Sequence, residues 1–178
     1  MLDEKRIKEA EKNVRSYVSE GLLQKKDPDK NILDILISNG KESLRVADAC
    51  KDQELSALWM IVCSYYSMFY YANAILLSFG YKVGEKIVHK VTSDSLIVYV
   101  RGKLKDALIM DFEEAKEEAL DLAGMKADSL IENFEFEKKK RGRIQYQTTA
   151  SGIRAKADTS LKRAKEFTKE MEKLLLEK

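Results

Sequence analysis

Apolar residues recur every three or four positions along most of this chain, the spacing that places side chains on one face of an α-helix. In the first such stretch, Ile7, Ala10 and Val14 belong to a single stripe. The spacing is repeated in later stretches, so the pattern predicts a series of five to six helices. The predicted helices cover residues 3–25, 31–52, 55–81, 86–104, 105–137 and 150–175.

The third predicted helix coincides with an uncharged run, 55–81, that is long enough to cross a membrane, which takes about 20 apolar residues. The middle of this run contains Tyr65 and Asn73, whereas membrane helices keep tyrosine at the level of the lipid headgroups. We therefore expect a central helix that the other helices bury on most sides, and no membrane contact. Gly80 is expected to end this helix, and residues 80–84 are expected to form a turn.

The chain has a single proline, Pro28, and scarce proline favours long helices because proline removes an interior helix hydrogen bond. Pro28 divides the chain into an N-terminal helical arm, 1–28, and a helical domain, 29–178. The β-branched run at 94–100 favours a strand by propensity, but a single strand lacks a partner, so a helix is expected there. The pattern as a whole predicts an all-α fold, an antiparallel up-and-down helical bundle.

Two details of the second predicted helix are open. Its first turn can be capped by Asp29 or by Asn31, both of which carry a side-chain oxygen that accepts a hydrogen bond from a free amide. Gly40 lies in its middle and marks either a point of close packing or a break in the helix.

The two cysteines, Cys50 and Cys63, lie in apolar helical surroundings without the C-x-x-C spacing of zinc or thiol-redox sites. We expect free, buried thiols in a reducing cytoplasm, and neither a metal nor a cofactor. The N-terminus carries mixed charge in place of the basic patch and apolar run of a signal peptide, so no export is expected. Plentiful lysine and glutamate with little asparagine and glutamine is typical of proteins from hot environments, including thermophilic archaea.

The net charge of +2 conceals a sharp division along the chain. Residues 105–137 hold eleven acids and three bases, a net of −8, and residues 138–165 hold ten bases and one acid, Asp158, a net of +9. If the two segments pack as antiparallel helices, ion pairs form between them. Alternatively, the sequence KKKRGR at 138–143 presents a phosphate-binding patch. A solvated helix end is a third interpretation of this basic run.

Aromatic and amide side chains follow the basic run directly, and such groups stack on bases and form hydrogen bonds with them. These aromatic and amide side chains beside the basic run favour binding of RNA or of nucleotide phosphates. The candidate RNA- and phosphate-binding residues are Lys138, Lys139, Lys140, Arg141, Arg143, Gln145, Gln147 and Arg154.

Two segments of the chain resemble a known family. SYYSMFYYANAILLSFGY, at 64–81, resembles the signature of HEPN domains, and ADTSLKRAKEFTKEMEKL, at 157–174, resembles their closing helix. The resemblance covers about residues 36–175. It implies an antiparallel helical bundle that forms a homodimer and associates with RNA or nucleotides. Many members of this family are toxins that cleave RNA without a metal and are paired with a minimal nucleotidyltransferase.

In members of that family the active site is an arginine and a histidine with four to six residues between them. After Arg141 those positions hold Tyr146, Gln147 and Thr148, and the only histidine, His89, has no arginine at that distance before it. Cleavage without a metal needs a group that takes the 2′-hydroxyl proton and a cation that stabilises charge on the phosphate, and arginine supplies only the cation. The candidate catalytic residues are therefore Arg141, Tyr146 and His89, and the incomplete motif predicts weak or absent ribonuclease activity.

Three functions follow as hypotheses. The first is a HEPN-like protein that binds RNA or nucleotide phosphates, and the second is an active RNA-cleaving toxin of a toxin–antitoxin pair. The third is an interaction module that docks a nucleotidyltransferase, or another helix, through the stripe Ala157, Leu161, Ala164 and Met171. That stripe is available only if its side chains are not buried within one monomer. The tyrosine cluster at 65–71 is expected to fill the core rather than to line a ligand pocket.

Overall fold

The structure, a computed structural model, describes residues 2–136 and 150–177. Six α-helices form most of this part of the chain, which confirms the expected all-α bundle. The helices are α1 Glu4–Ser19, α2 Lys30–Asp52, α3 Ala57–Ser78, α4 Val88–Tyr99, α5 Asp106–Phe136 and α6 Ala150–Leu176. A 3-10 turn covers Arg101–Lys103, and two short strands, β1 Leu23–Lys25 and β2 Tyr81–Val83, form an antiparallel ribbon.

The first three helices begin where a polar side chain caps free backbone amides. Asp3 accepts a hydrogen bond from the amide two residues later at the start of α1, and Ser56 accepts one from the amide of Trp59 at the start of α3. Asp29 accepts from the amides of residues 31 and 32 at the start of α2. These amides have no partner within the helix, so each cap supplies the missing acceptor. Of the two candidates for α2, Asp29 is the cap.

The first helix ends earlier than the prediction of 3–25. It stops at Ser19 because Gly21 adopts the left-handed backbone conformation, with φ of 73°. The amide of Leu22 then donates a hydrogen bond back to the carbonyl of Tyr17, which closes the helix end. The apolar stripe continues through this turn in sequence, so the spacing alone overestimated the helix length.

The two strands join the end of the predicted arm, 1–28, to the segment after α3. Leu23 lies opposite Val83, and Lys25 lies opposite Tyr81. The turn predicted over residues 80–84 is therefore wrong for its middle three residues, which form β2. The described residues of the arm pack against the bundle, since α1 lies on α4 and β1 pairs with β2.

Helix α3 is the centre of the bundle and contacts α2, α4, α5 and α6. Among the described residues it is the one helix long and apolar enough to cross a membrane, and 72% of its most apolar stretch is buried inside the protein. Tyr65, Met68 and Tyr71 are among its fully buried side chains. The tyrosines of the cluster that point inward thus fill the core, as expected, and α3 is the predicted central helix.

Gly40 is a point of close packing, not a break in α2. A Cβ atom at this position would lie 2.7 Å from the ring of Tyr71 on α3. The hydroxyl of Ser67, one turn away on α3, donates a 2.8 Å hydrogen bond to the Gly40 carbonyl oxygen. The missing side chain therefore lets α2 and α3 approach each other closely.

The apolar stripe of α6 packs inside the monomer. Ala157, Leu161, Ala164 and Met171 are all at most 2% exposed. These four side chains are consequently not available as a seam for another helix or a second chain. Both cysteines are free, and while Cys50 is buried as expected, Cys63 is partly exposed.

Candidate functional site

A cleft of about 440 Å³ opens where α1, α4 and α5 meet, and it contains the one histidine of the chain, His89. The first turn of α4 supplies His89 and Lys90, α1 supplies Arg6, and α5 supplies Lys116. The volume falls within the range of about 300–1,000 Å³ that is usual for small-molecule sites. Titratable groups from three helices therefore converge on one concave surface.

Aromatic side chains of α3 hold the imidazole of His89. The hydroxyl of Tyr65 lies 2.7 Å from Nδ1 of His89. The ring centroid of Phe69 lies 4.7 Å from that of His89, and Tyr66 packs edge-on at 5.9 Å. Nδ1 is hydrogen-bonded to Tyr65, whereas Nε2 has no hydrogen-bond partner among the described residues. Nε2 is therefore the ring nitrogen that can bind a ligand in the cleft.

The protonation of this pair follows from its surroundings. Burial raises the pKa of Tyr65, so the hydroxyl keeps its proton. Burial, and then the positive charge of Lys116, lower the pKa of His89, so the imidazole is neutral at pH 7. A buried hydroxyl needs an acceptor, which Nδ1 supplies only when the ring proton is on Nε2. His89 thus presents a hydrogen-bond donor to the cleft, and its basic nitrogen is occupied by Tyr65.

Asp94, which also lines this cleft, is a fully buried carboxylate. It accepts hydrogen bonds from Arg6 at 2.6 Å, Tyr17 at 2.8 Å and Asn13 at 3.0 Å. Burial and the hydrogen bond to this carboxylate raise the pKa of Tyr17, which keeps the donor protonated. All three donors belong to α1, so one carboxylate of α4 anchors the N-terminal helix through charge-assisted hydrogen bonds.

Arg6 links α1 to both α4 and α5. Its Nη2 lies 2.6 Å from Asp94 and 2.6 Å from Glu113, and its Nε donates to Glu113 at 2.9 Å. The hydroxyl of Ser93 donates to the same Glu113 oxygen at 3.0 Å. Burial acts to lower the pKa of Arg6, but the hydrogen bonds and attraction of the two carboxylates outweigh it and raise the pKa. An arginine and the histidine thus share the cleft, and two carboxylates balance the arginine's charge.

The backbone is strained at the wall of this cleft. Ile87, the residue before α4, has φ of 45° and ψ of 35°, a left-handed conformation that a β-branched residue rarely adopts. Strain of this kind costs about 1–3 kcal/mol and is most often found at functional sites. Ile87 is also 55% exposed. A strained, exposed apolar residue therefore lies two positions before His89.

Most of the predicted phosphate-binding residues lie outside the described residues. They are Lys138, Lys139, Lys140, Arg141, Arg143, Gln145 and Gln147, together with the catalytic candidate Tyr146. The remaining candidate, Arg154, lies on α6, where its Nη2 donates a 3.0 Å hydrogen bond to the carbonyl of Lys51 at the end of α2. His89 lies on α4, and no described contact joins it to Arg154.

Some of the basic residues of segment 138–165 form ion pairs with acids of neighbouring helices. Arg163 of α6 forms ion pairs with Asp111, at 3.1 Å, and Glu114 of α5. Lys165 of α6 lies 2.5 Å from Asp48 of α2. The predicted ion pairs between the two segments are therefore confirmed for Arg163, whereas Lys165 pairs with an acid outside the acidic segment.

A second cleft, of about 400 Å³, lies between α3, α5 and α6, and four of its eight lining residues are acids of α5. One oxygen of Glu118 is buried there without a hydrogen-bond partner among the described residues. Within residues 2–136 and 150–177, no group of three or more His, Cys, Asp or Glu side chains is arranged to hold a metal ion. The negative lining repels phosphate, so this cleft is a poor anion site.

Sequence reasoning missed the network of Arg6, Asp94 and Glu113. The three residues are far apart in the chain, and no short motif connects them. One signal was available, because Asp94 is an isolated acid between polar and β-branched residues of a predicted helix. A charge at such a position is stable only with partners, which sequence alone does not identify.

Comparison with known proteins adds no assignment. No protein family, no curated protein and no solved structure matches the chain significantly.

Proposed function

We propose that this protein is a HEPN-like helical bundle that binds RNA or nucleotide phosphates through the basic run between α5 and α6, with ribonuclease activity weak or absent. One observation carries the proposal. Four of the five bases of segment 138–165 that lie on α6 contact acids or a carbonyl group of this same chain, and the fifth, Lys156, lines the acidic cleft beside α5. We therefore assign the binding of an external partner to the bases at 138–143.

The contacts of α6 support this step residue by residue. Arg154 donates to a carbonyl of α2, Arg163 is paired with two acids of α5, and Lys165 is paired with an acid of α2. Lys162 lies 4.0 Å from Glu166 on the same helix. A base whose charge is already balanced contributes little to phosphate binding. We therefore assign phosphate binding to the basic run at 138–143 and contacts within the chain to the bases of α6.

The composition of the connection suits a polynucleotide. Residues 138–143 supply five cations, and residues 145–147 supply two amides and a tyrosine. Lysine and arginine bind phosphate, and arginine does so with two parallel hydrogen bonds. An aromatic ring beside such cations stacks on an unpaired base.

The state of His89 supports a binder over a nuclease. Proton transfer from the 2′-hydroxyl needs a free basic nitrogen, but Nδ1 of His89 is engaged by Tyr65. Stabilising the phosphate needs a free cation, but the guanidinium of Arg6 in the same cleft is balanced by two carboxylates. Arg141 supplies a cation without a nearby histidine in sequence. We therefore expect binding without efficient cleavage.

The partly exposed face of α3 favours a homodimer as part of this proposal. Trp59, Cys63, Tyr66 and Tyr70 follow one another at helical spacing. Trp59 is exposed, the other three are partly exposed, and α3 has no charged residue. Two copies of an uncharged aromatic face meet without opposing like charges, and aromatic residues are enriched in such contacts. We expect alkylation of Cys63 to slow as protein concentration rises. An alkylation rate independent of concentration contradicts dimerisation through this face.

The test of binding is RNA affinity measured against salt concentration. Binding to single-stranded RNA should weaken with a slope of about 0.7 per phosphate contact in a log–log plot. The test variant replaces three bases of the run: Lys139→Gln, Arg141→Gln and Arg143→Gln. The control replaces three exposed bases of α1: Lys8→Gln, Lys12→Gln and Arg15→Gln. Both variants change the net charge equally, so the control removes the long-range effect of charge.

We expect the slope to fall by about 2 in the test variant and to stay unchanged in the control. No RNA binding at low salt, or equal slopes for the two variants, refutes the proposal. The same preparations report on cleavage when they are incubated with RNA and a chelator. RNA cutting that Arg141→Ala abolishes would instead identify the protein as a metal-independent ribonuclease.

A further inference from the structure

A separate cleft, of about 580 Å³, opens at the end of the bundle where the ribbon of β1 and β2 meets the C-terminal end of α3. Lys25, Lys26, Phe79 and Tyr81 line it. The elements are tied together here, because the amide of Lys26 donates a 3.0 Å hydrogen bond to the carbonyl of Gly80. The cleft is therefore formed by elements that are joined by backbone hydrogen bonds.

Two ammonium groups line this cleft, and a third lies beside one of its aromatic rings. Lys25 lies opposite Tyr81 in the ribbon, and Lys26 is the next residue after Lys25 in the chain. The ammonium nitrogen of Lys103, in the 3-10 turn, lies 5.9 Å from the centre of the Phe79 ring, a cation–π distance. All three lysines are exposed.

These lysines differ from the bases of α6 in their pairing. Among the ion pairs that the described residues form, none involves Lys25, Lys26 or Lys103. Among the described residues the only acid that lines the cleft is Asp27, so the two lining lysines and the neighbouring Lys103 outnumber it. Unpaired cations around a concave surface attract anions, because the low-dielectric walls concentrate their field.

Aromatic rings lie beside the cations. The rings of Tyr81 and Tyr99 are stacked, with centroids 3.8 Å apart and planes inclined by 18°. Both tyrosines and Phe79 are partly exposed. A ring that is already held by a stacked neighbour gives a base a rigid surface to pack on. Cations beside aromatic faces are the combination with which proteins bind single-stranded nucleic acids.

We propose that this surface, the ribbon-end patch formed by Lys25, Lys26, Lys103, Phe79 and Tyr81, is a second contact site for a single-stranded polynucleotide. The lysines contact phosphates of the strand, and the aromatic rings contact a base. The inference rests on the proposed function, since it extends the bound strand from the α5–α6 connection to a second place on the bundle. A free phosphate shares the lysine contacts but gains nothing from the rings.

The experiment adds one variant to the salt titration with single-stranded RNA. The ribbon-end variant carries Lys25→Gln, Lys26→Gln and Lys103→Gln. The comparison variants are the one altered at 139, 141 and 143 and the α1 control altered at 8, 12 and 15. All three lose the same charge, and circular dichroism checks that each is folded. A mononucleotide is titrated in parallel as the probe for binding of an isolated phosphate.

We expect the slope of log affinity against log salt concentration to fall by about 2 in the ribbon-end variant and to stay unchanged in the α1 control. The mononucleotide should bind the natural chain at least about ten-fold more weakly than the RNA, because it offers one phosphate and one base. Equal affinity of the two ligands contradicts a polynucleotide site.

The variants separate this inference from the proposed function. A ribbon-end variant that behaves like the control, beside a loss in the variant at 139, 141 and 143, overturns the second site alone. The reverse result overturns the role of the α5–α6 connection and leaves the ribbon-end patch as the binding site. No RNA binding by the natural chain at low salt overturns both.

Discussion

The hydrogen-bond network around Asp94 should make Arg6 one of the most important charged residues for stability. The side chain of Asp94 is 0% exposed, and Arg6 supplies one of its three donors and two bonds to Glu113. Breaking a buried ion pair from one side costs about 3–5 kcal/mol. Asp94 keeps Asn13 and Tyr17 as donors, and the Arg6 side chain is 24% exposed, so we expect the lower end, about 3 kcal/mol for Arg6→Met.

Urea denaturation followed by circular dichroism measures this change in the free energy of unfolding, and a thermal melt should show a midpoint lower by about 6–12 °C. The matched control is Arg15→Met, an exposed base of the same helix, which should change stability by less than about 0.5 kcal/mol. Adding Asp94→Asn to Arg6→Met should recover part of the loss, because the uncompensated charge is then gone. A loss below about 1 kcal/mol for Arg6→Met, or no coupling between the two sites, refutes the reasoning.

Two further predictions concern the core. Because the pKa of His89 is lowered in the folded protein, the unfolded chain binds its proton more readily, so stability should fall as pH drops below about 6.5. His89→Asn, which keeps an acceptor for Tyr65, should lose less stability between pH 7.5 and 5.5 than the natural chain, and equal losses would contradict the lowered pKa. Gly40→Ala should destabilise by about 1–3 kcal/mol despite alanine's better helix propensity, since its Cβ would lie 2.7 Å from the Tyr71 ring. Gly102→Ala, whose Cβ meets nothing within 4 Å, is the control in the same urea titration, and an unchanged Gly40→Ala protein would show that the two helices separate easily.

The helices could be predicted because their signal is local. The apolar spacing of the second helix gave 31–52, and the structure has Lys30–Asp52. The end of α1 could not be read from the stripe, since one left-handed glycine, Gly21, stops the helix while the apolar spacing continues. The ribbon was missed because β1 and β2 are short and far apart in the chain, and each becomes a strand only by pairing with the other.

The site was predictable only in part, for the same reason. His89 was a candidate because it is the only histidine, but its partner Tyr65 was assigned to the core and not to the histidine. The bond between Arg6 and Asp94 joins residues 88 positions apart, and sequence spacing carries no trace of such a contact. Charge segregation was visible in the sequence, whereas the pairing of Arg163 with α5 required the packed helices.

Lysine footprinting tests the central claim, binding through the α5–α6 connection, most directly. The protein is acetylated briefly with and without single-stranded RNA, and mass spectrometry reports the modification of each lysine. We predict that RNA slows acetylation of Lys138, Lys139 and Lys140 several-fold, while Lys8 and Lys12 on α1 react equally with and without RNA. Unchanged reaction at residues 138–140, with protection of Lys90 and Lys116 instead, would contradict the account and move the RNA to the cleft of His89.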